Sequence, residues 1–293
     1  MSYRDDRVLA LTNSGLRKRV GGTVSSFEET LKRGMHGIGF SPYEEGQKPG
    51  QAISEVQIRR RMEIIAPYTS WIRSFSCTEG NELIPRIAKE MGIKTLVGAW
   101  LGTDHEKNEV EIQALLTLAK DGMVDIAAVG NEVMYREDLE EAELLTHIAR
   151  VKAAIPDIKV GYVDAYYEFE NRPAITAACD VILSNCYPFW EGCMFEYSVL
   201  YMQDMYRRAK RAAGEKEVII AETGWPSQGQ SFHGAKPSHD SARRYFIDAQ
   251  RWAHDSDIQM FYFTSFDESW KVGDEGDVGA YWGLWDKDEQ LKF

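Results

Sequence analysis

Short apolar runs alternate with longer amphipathic stretches along the chain from residue 36 onward. Runs of mainly apolar side chains predict buried strands, whereas apolar residues spaced three or four apart predict helices. The predicted strands are 36–40, 71–77, 94–101, 125–132, 159–165, 181–187, 217–222 and 260–267. The predicted helices are 54–67, 81–91, 104–122, 137–154, a short one near residue 174, 199–213 and 238–254. Strands and helices therefore alternate along nearly the whole chain.

This alternation is the pattern of an α/β protein with a single (β/α)8 barrel, the TIM barrel. A doubly wound open sheet is the competing architecture, but its usual sign, a GxGxxG turn after the first strand, is missing. We expect residues 34–293 to form the barrel, with residues 281–293 closing over the eighth strand. Residues 1–33, with a short helix near 26–33, are expected to be an N-terminal leader that plugs the barrel bottom or stays partly flexible.

The net charge limits the kinds of partner that the chain can bind. The 293 residues carry a formal charge of -12 with no basic stripe, which disfavours nucleic acid and anionic membrane surfaces. No apolar run reaches the roughly 18 residues that span a bilayer, and residues 1–22 lack the apolar core of a signal peptide. We therefore expect no membrane segment in this chain. Its localisation stays open between secreted, periplasmic and part of a larger membrane-associated protein.

The cysteines and histidines do not suggest a metal ion or a cofactor. The four cysteines fit neither a zinc-knuckle spacing nor a dense disulfide framework, so we expect reduced thiols. The six histidines show no HExxH pattern. The acidic loop 273–279 lacks the spacing of an EF-hand. We expect a chain that works without metal or cofactor, and a monomer is the simpler expectation for its oligomeric state.

Two of the predicted strands end abruptly on a carboxylate. Glu222 follows the apolar run 218–221, and Glu132 closes the strand 125–132. In a barrel both side chains lie at the C-terminal mouth, where such folds keep their reactive groups. Two carboxyl groups in one cleft can perform glycoside hydrolysis, and Asn131 can donate a hydrogen bond to a sugar 2-hydroxyl. The sequence therefore predicts an acid/base site built from these residues.

Five segments around these residues resemble a known family. They are GNEV at 130–133, NCYPF at 185–189, AETGWPS at 221–227, FDESWK at 266–271 and GLW at 283–285. Together they are similar to glycoside hydrolase family 17, the β-1,3-glucanases and related β-glucan enzymes. The resemblance implies a retaining enzyme that acts on β-1,3-glucan through a covalent glycosyl-enzyme, with Glu132 as general acid/base and Glu222 as nucleophile. The two carboxyl groups are then expected about 5 to 5.5 Å apart.

The resemblance also implies residues that support catalysis or bind sugar. Tyr187 is expected to donate a hydrogen bond to the nucleophile. Glu268 and Lys271 are expected to pair and to contact the acid/base or a sugar hydroxyl, with a surface ion pair as the alternative. Plant members of the family carry tyrosines at two positions where this chain has other residues, and Tyr43 is expected to supply a sugar-facing hydroxyl in their place. Four aromatic residues beyond the strand ends are expected to stack on glucose rings: Phe189, Trp190, Trp225 and Trp270.

Alternatives to a hydrolase stay open at this point. A β-1,3-glucan transglycosylase, which elongates or branches chains, would use the same residues. A non-catalytic β-glucan-binding barrel is disfavoured because both acids are present. A phosphate-handling barrel would need glycine-rich loops after strands seven and eight, but the loop after strand seven reads GWPSQGQ. Chain-length and linkage preference, between β-1,3, β-1,4 and β-1,6, are not encoded in these motifs.

Overall fold

The computed structural model describes residues 26–293, apart from the side chain of Asp274, and shows eight parallel strands closed into a barrel in sequence order. The strands are β1 Met35–Gly39, β2 Thr69–Ser74, β3 Lys94–Ala99, β4 Ile126–Asn131, β5 Lys159–Ala165, β6 Val181–Asn185, β7 Glu217–Thr223 and β8 Met260–Tyr262. Each strand pairs with its sequence neighbours, and β1 closes the ring on β8. The predicted (β/α)8 architecture is confirmed.

Helices surround this barrel within the described part of the chain. They are α1 Phe27–Arg33, α2 Glu55–Ile65, α3 Leu83–Glu90, α4 His105–Lys120, α5 Glu141–Ala154, α6 Tyr166–Asn171, α7 Pro173–Ala178, α8 Ser198–Ala213, α9 His239–Asp255 and α10 Val272–Glu275. The side chains of Ser54, Asp104 and Ser238 accept hydrogen bonds from first-turn amides of α2, α4 and α9. Such caps satisfy amides that have no partner within the helix, which is why these three helices start close to the predicted positions.

One predicted helix begins later than expected, and another is preceded by a helix that was not predicted. The helix predicted at 137–154 begins at Glu141, because Glu137 adopts a left-handed φ of 57° that a right-handed helix cannot contain. The short helix predicted near 174 is present as α7, but a further helix that was not predicted, α6, precedes it, and the two helices meet at Arg172. A residue before proline is driven out of the helical region, and Arg172 has φ -126° and ψ 74° before Pro173.

The eighth strand is shorter than predicted, since β8 ends at Tyr262 rather than at 267. The residues that follow are hydrogen-bonded by the C-terminal tail. The amide of Leu284 donates to the Thr264 carbonyl at 3.1 Å, and the amide of Trp285 donates to the Ser265 carbonyl at 2.9 Å. The prediction that residues 281–293 close over the eighth strand is therefore confirmed.

Apolar side chains fill the interior of the barrel. Leu96, Val163, Leu183, Ile219 and Phe261 all have no exposed surface and belong to one cluster. They alternate with side chains that face the helices, as the two-residue period of a strand requires. This cluster lies beneath the mouth, where β4 and β7 deliver their carboxylates.

Gly37→Ala is expected to lower the free energy of unfolding by roughly 1 to 3 kcal/mol through overpacking. A Cβ atom at Gly37 would lie 2.4 Å from the ring of Phe261, which fills the barrel interior. Urea unfolding measures the difference. Gly273→Ala is the matched control, because a Cβ there meets no atom within 4 Å. Equal stability of the two variants would contradict this account of the barrel core.

Helix α1 precedes the barrel and packs on its outer layer. Ser26 and Glu29 form a capping box at its start, and Phe27 contacts the rings of Phe246 and Phe293 at centroid distances of 5.0 and 5.1 Å. The short helix predicted near 26–33 is confirmed. The remainder of the predicted leader, residues 1–25, lies outside the described residues, and the boundary between 33 and 34 stays a prediction. Within residues 26–293, none of the helices combines the length and the apolar character that crossing a bilayer requires.

Candidate active site

Glu132 and Glu222 lie at the C-terminal ends of β4 and β7. The ladder between β4 and β5 shifts register between Ala128 and Asn131. Gly130 within this bulge has a φ of 87°, and Glu132 directly after it has a φ of 51°; bulges of this kind redirect side chains beside active sites. The charge of Glu222 contributes to raising the pKa of Glu132. Both carboxyl groups therefore lie at the C-terminal mouth of the barrel.

The carboxylate of Glu222 is buried and held from two sides. Arg73 Nη1 donates a hydrogen bond to Oε1, and the Tyr187 hydroxyl donates to Oε2 at 2.6 Å. Arg73 comes from β2 and is 2% exposed, so its charge acts on Glu222 with little screening by water. The predicted contact between Tyr187 and Glu222 is present. These contacts fix the side chain and compensate its negative charge.

The carboxyl group of Glu132 has a different environment. Burial, followed by the negative charge of Glu222, raises its pKa to about 8. The amide of Asn185, at the end of β6, donates a hydrogen bond from Nδ2 to Glu132 Oε1 at 2.8 Å. Glu132 therefore carries a proton at neutral pH. The guanidinium of Arg73 lies against Glu222 and not against Glu132. One acid can supply a proton and the other a negative charge.

Asn131 is linked to Glu222 through Arg73, which donates hydrogen bonds to both side chains. Its Oδ1 accepts a hydrogen bond from Arg73 Nη2 at 2.5 Å, and the side chain is buried. This contact fixes the orientation of the amide and leaves Nδ2 as the group that can donate. A donor at this position is what the predicted contact with a sugar 2-hydroxyl requires.

Glu268 and Lys271 form a buried ion pair at the end of the segment that follows β8. Lys271 Nζ lies 2.9 Å from Glu268 Oε2, and both residues are at most 8% exposed, so the alternative of a surface ion pair is wrong. Burial alone would lower the pKa of Lys271, but the charge and hydrogen bond of Glu268 together with the charges of Glu275 and Glu222 outweigh it, and the pKa is raised. The ammonium group also lies 4.2 Å from the centroid of the Phe263 ring. The pair is thus a fixed charged element of the mouth.

Tyr43 lies beside this ion pair. Its backbone amide donates to Glu268 Oε1 at 3.2 Å, and its hydroxyl accepts a hydrogen bond from Asn81 Nδ2 at 3.3 Å. The ring meets Trp270 edge to face at 5.9 Å between centroids. Tyr43 is only 7% exposed, so it packs into the wall near Glu268. Whether its hydroxyl serves a sugar stays a prediction.

Two of the four predicted stacking residues do not have the exposure that the role needs. Phe189 has no exposed surface and Trp225 has 1%. Phe189 packs against Trp225 at 5.3 Å, and Trp225 Nε1 donates to the carbonyl of Lys236 at 3.1 Å. Stacking on a sugar requires a free ring face, so the prediction is wrong for these two. Trp190 and Trp270 are partly buried and stay candidates.

The sequence interpretation missed three residues of the site. Arg73 had a usable signal, because a charged residue stands inside a predicted buried strand. Asn185 was noted only as part of a motif, and its contact with Glu132 depends on barrel geometry. Trp282, in the C-terminal tail, had no sequence signal. It contacts Tyr187 at 5.5 Å between centroids, and its buried Nε1 has no hydrogen-bond partner among residues 26–293.

The chain is similar over most of its length to known proteins. The family model of the BtgE/BtgC glycoside hydrolase domain matches residues 37–283. A glucan 1,3-beta-glucosidase of Schizosaccharomyces pombe is 30% identical over 251 residues, which cover 79% of this chain and 78% of that protein. A glucan 1,3-beta-glucosidase of Arthroderma benhamiae is 27% identical over 266 residues, which cover 83% of this chain and 85% of that protein.

A solved structure shows the same relationship. The β-1,3-glucanosyltransferase of glycoside hydrolase family 17 from Rhizomucor miehei is 26% identical, with a TM-score of 0.79. The match covers 89% of this chain and 96% of that chain. An active-site mutant of the R. miehei enzyme was solved in complex with laminaritriose. The similarity thus extends over the barrel and its mouth.

Proposed function

This chain belongs to glycoside hydrolase family 17 and is an enzyme of the glycosidase type, and from that premise we propose that it cleaves β-1,3-linked glucan by a retaining double displacement. The observation that carries the mechanism is the asymmetry of the two acids. Arg73 and Tyr187 hold the Glu222 side chain by hydrogen bonds, whereas burial and the charge of Glu222 raise the pKa of Glu132 to about 8. A protonated acid and a fixed nucleophile then face the same bond.

In the first half-reaction, a Glu222 oxygen attacks the anomeric carbon while Glu132 gives its proton to the departing glycosidic oxygen. The bond between carbon and leaving oxygen breaks, and an ester between the sugar and Glu222 forms. Asn131 donates from Nδ2 to the sugar 2-hydroxyl, a contact that strengthens as the anomeric carbon becomes positively charged. Glu132 is left ionised beside a sugar ester that carries no charge.

In the second half-reaction, Glu132 takes a proton from the incoming hydroxyl, and that oxygen displaces Glu222 from the anomeric carbon. Two inversions leave the configuration at that carbon unchanged. If the hydroxyl belongs to water, the enzyme is a hydrolase. If it belongs to another glucan chain, the enzyme is a transglycosylase. One glycosidic bond is then broken and one is formed, so that their total number does not change.

The substrate class rests on the relatives. The two fungal relatives named above are glucan 1,3-beta-glucosidases, and the R. miehei enzyme is a β-1,3-glucanosyltransferase. Their shared substrate is a β-1,3-glucan, although their acceptors differ. We propose hydrolysis as the main activity, with transglycosylation as the second candidate because the R. miehei enzyme supports it.

A product profile separates the two activities. Laminari-oligosaccharides of one length are incubated with the enzyme, and the products are sized by mass spectrometry at several substrate concentrations. Shorter products throughout would support hydrolysis. Products longer than the substrate, increasing with its concentration, would support transglycosylation. No turnover of any β-1,3-glucan would overturn the proposed function.

The pH profile is expected to fall on its alkaline side at about 8. Glu132 must carry a proton in the first half-reaction, and its pKa is raised to about 8. The value of kcat/KM is therefore expected to decrease about tenfold for each pH unit above that value. The measurement is the initial rate on laminaripentaose at low concentration from acidic to alkaline pH. Enzyme returned from alkaline to neutral pH is the control for irreversible loss, and full activity well above pH 8 would contradict the assignment.

A further inference from the structure

A fully buried carboxylate lies beneath the turn that carries Glu132. Asp164, near the end of β5, has no exposed surface. Its carboxylate accepts hydrogen bonds from the Tyr162 hydroxyl, from the amide of Ala165 at 2.7 Å and from the amide of Tyr135 at 3.3 Å. All three donors are neutral groups. Since burying a carboxylate against neutral donors costs free energy, this arrangement requires a reason.

Asp164 contacts the turn formed by residues 132–135 directly through the Tyr135 amide and indirectly through Tyr162, whose hydroxyl also accepts a hydrogen bond from the Met134 amide. Glu132 begins this turn with a left-handed φ of 51°, a conformation that costs free energy in a residue other than glycine. Three amides of the turn are bound by consecutive residues of β5. The amide of Glu132 donates to the Val163 carbonyl at 2.7 Å, that of Met134 to the Tyr162 hydroxyl at 2.8 Å, and that of Tyr135 to Asp164. The end of β5 therefore holds the acid/base residue in its strained conformation.

We propose that Asp164 is a positioning residue for Glu132, which fixes the turn together with Tyr162 and whose negative charge favours the protonated form of the Glu132 carboxyl. The proposal rests on the proposed function, because it gives a role to the proton of Glu132. It concerns a residue that touches neither the nucleophile nor the sugar. Asp164 acts through the turn and through its charge.

The charges around Glu132 show what Asp164 adds. The titratable and charged groups that face Glu132 or its immediate contacts are Glu222 on β7, Asp164 and Tyr162 on β5, Arg136 in the turn, Tyr187 after β6, and Arg73 on β2. Burial and the charge of Glu222 raise the pKa of Glu132 most, the hydrogen bond from Asn185 lowers it, Asp164 raises it further, and Arg136 lowers it. Removing the Asp164 charge would leave the effect of Arg136 less opposed.

Asp164 carries its charge in the pH range that matters for Glu132. The pKa of Asp164 is raised to about 6, mainly by burial and also by the nearby charge of Glu168. The hydrogen bonds from the Tyr162 hydroxyl and the Ala165 amide act in the opposite direction and lower it. Asp164 is thus ionised between about 6 and 8, where Glu132 would otherwise begin to lose its proton. Below that range Asp164 takes up a proton, but Glu132 is already protonated there.

The test compares Asp164→Asn with Glu168→Gln. Asparagine keeps the size and one acceptor of the side chain and removes the charge. Glu168, on α6, is the matched control, because it lies near Asp164 but pairs with Arg172, which follows that helix. We expect the alkaline limb of kcat/KM to move to lower pH by about one unit in Asp164→Asn and to stay in place in Glu168→Gln. A limb that coincides with that of the wild type in Asp164→Asn would overturn the role of the charge.

A second readout does not depend on turnover. The carboxyl carbon of Glu132 is followed by NMR in protein labelled with 13C-glutamate, and its signal is assigned as the one missing in Glu132→Gln. We expect its titration to move to lower pH in Asp164→Asn, and an unchanged titration would overturn the proposal even if the wild type proved inactive on glucan. Inactivity of the wild type alone would instead overturn the proposed function. Should Asp164→Asn fail to fold, Tyr162→Phe is expected to lower kcat about tenfold at unchanged KM, and an unchanged kcat would overturn the positioning role.

Discussion

Glu222→Gln is expected to lower kcat on laminari-oligosaccharides by about four orders of magnitude, as the loss of a nucleophile does in other enzymes. The amide has nearly the same size, so it can keep the contact with Tyr187. It cannot attack the anomeric carbon, and it does not balance the charge of Arg73. Initial rates of reducing-end release on laminaripentaose measure the loss.

The matched control is Glu217→Gln, at the opposite end of the same strand. Glu217 begins β7 and pairs with Lys159 near the surface of the barrel bottom. This variant is expected to keep wild-type activity, because the residue lies a strand length away from the mouth. Near-wild-type rates in Glu222→Gln would remove Glu222 from the mechanism, whereas equal losses in both variants would indicate a fold defect.

Glu132→Ala is expected to lower kcat/KM for each substrate in proportion to how much its leaving group needs a proton. Laminari-oligosaccharides, with poor leaving groups, are expected to lose about 10³-fold or more in kcat/KM, within the range for general acid catalysis. An aryl β-glucoside with an acidic phenol needs little protonation and is expected to lose far less in the first half-reaction. Added azide, which needs no general base, is expected to restore turnover and to give a β-glycosyl azide.

The raised pKa of Glu132 also predicts how the stability of the protein changes with pH. The pKa of Glu132 is raised from 4.5 to about 8, so between these values the folded protein binds a proton that the unfolded chain does not. The stability contributed by this carboxyl is complete below 4.5 and is lost as the pH rises to about 8. Glu132→Gln, which never ionises, is therefore expected to gain in Tm relative to the wild type more at pH 8 than at pH 5. A difference in Tm that does not change with pH would contradict the burial of this group.

The barrel and its two acids could be predicted because their signals are local. Each strand is a short apolar run, and the carboxylates of Glu132 and Glu222 stand where two of these runs stop. Parallel strands in a closed barrel bring their C-terminal ends together, so position along the strand was enough to place both residues at one mouth. Caps such as Ser54 and Asp104 fixed helix starts in the same local way.

The surroundings of the acids could not be predicted from local signals. Phe189 and Trp225 follow strand ends just as Trp190 does, yet they are covered by other aromatic rings. The early end of β8 depends on hydrogen bonds to a tail about twenty residues further along the chain. Asp164 stands in an apolar strand like Arg73, but its relation to Glu132 depends on the bulge between β4 and β5. Contacts between distant segments decided each of these cases.

The central claim is that Glu222 forms a covalent bond to the sugar, and trapping that bond tests it most directly. The probe is a 2-deoxy-2-fluoro β-glucoside or laminaribioside with a reactive leaving group. Its fluorine slows both half-reactions, because fluorine destabilises a positively charged anomeric carbon. The reactive leaving group speeds up the first half-reaction again but has no effect on the second. The glycosyl-enzyme is then expected to accumulate, and mass spectrometry of peptides is expected to place one sugar on Glu222. Unmodified protein after complete inactivation, or a sugar on any residue other than Glu222, would contradict the mechanism.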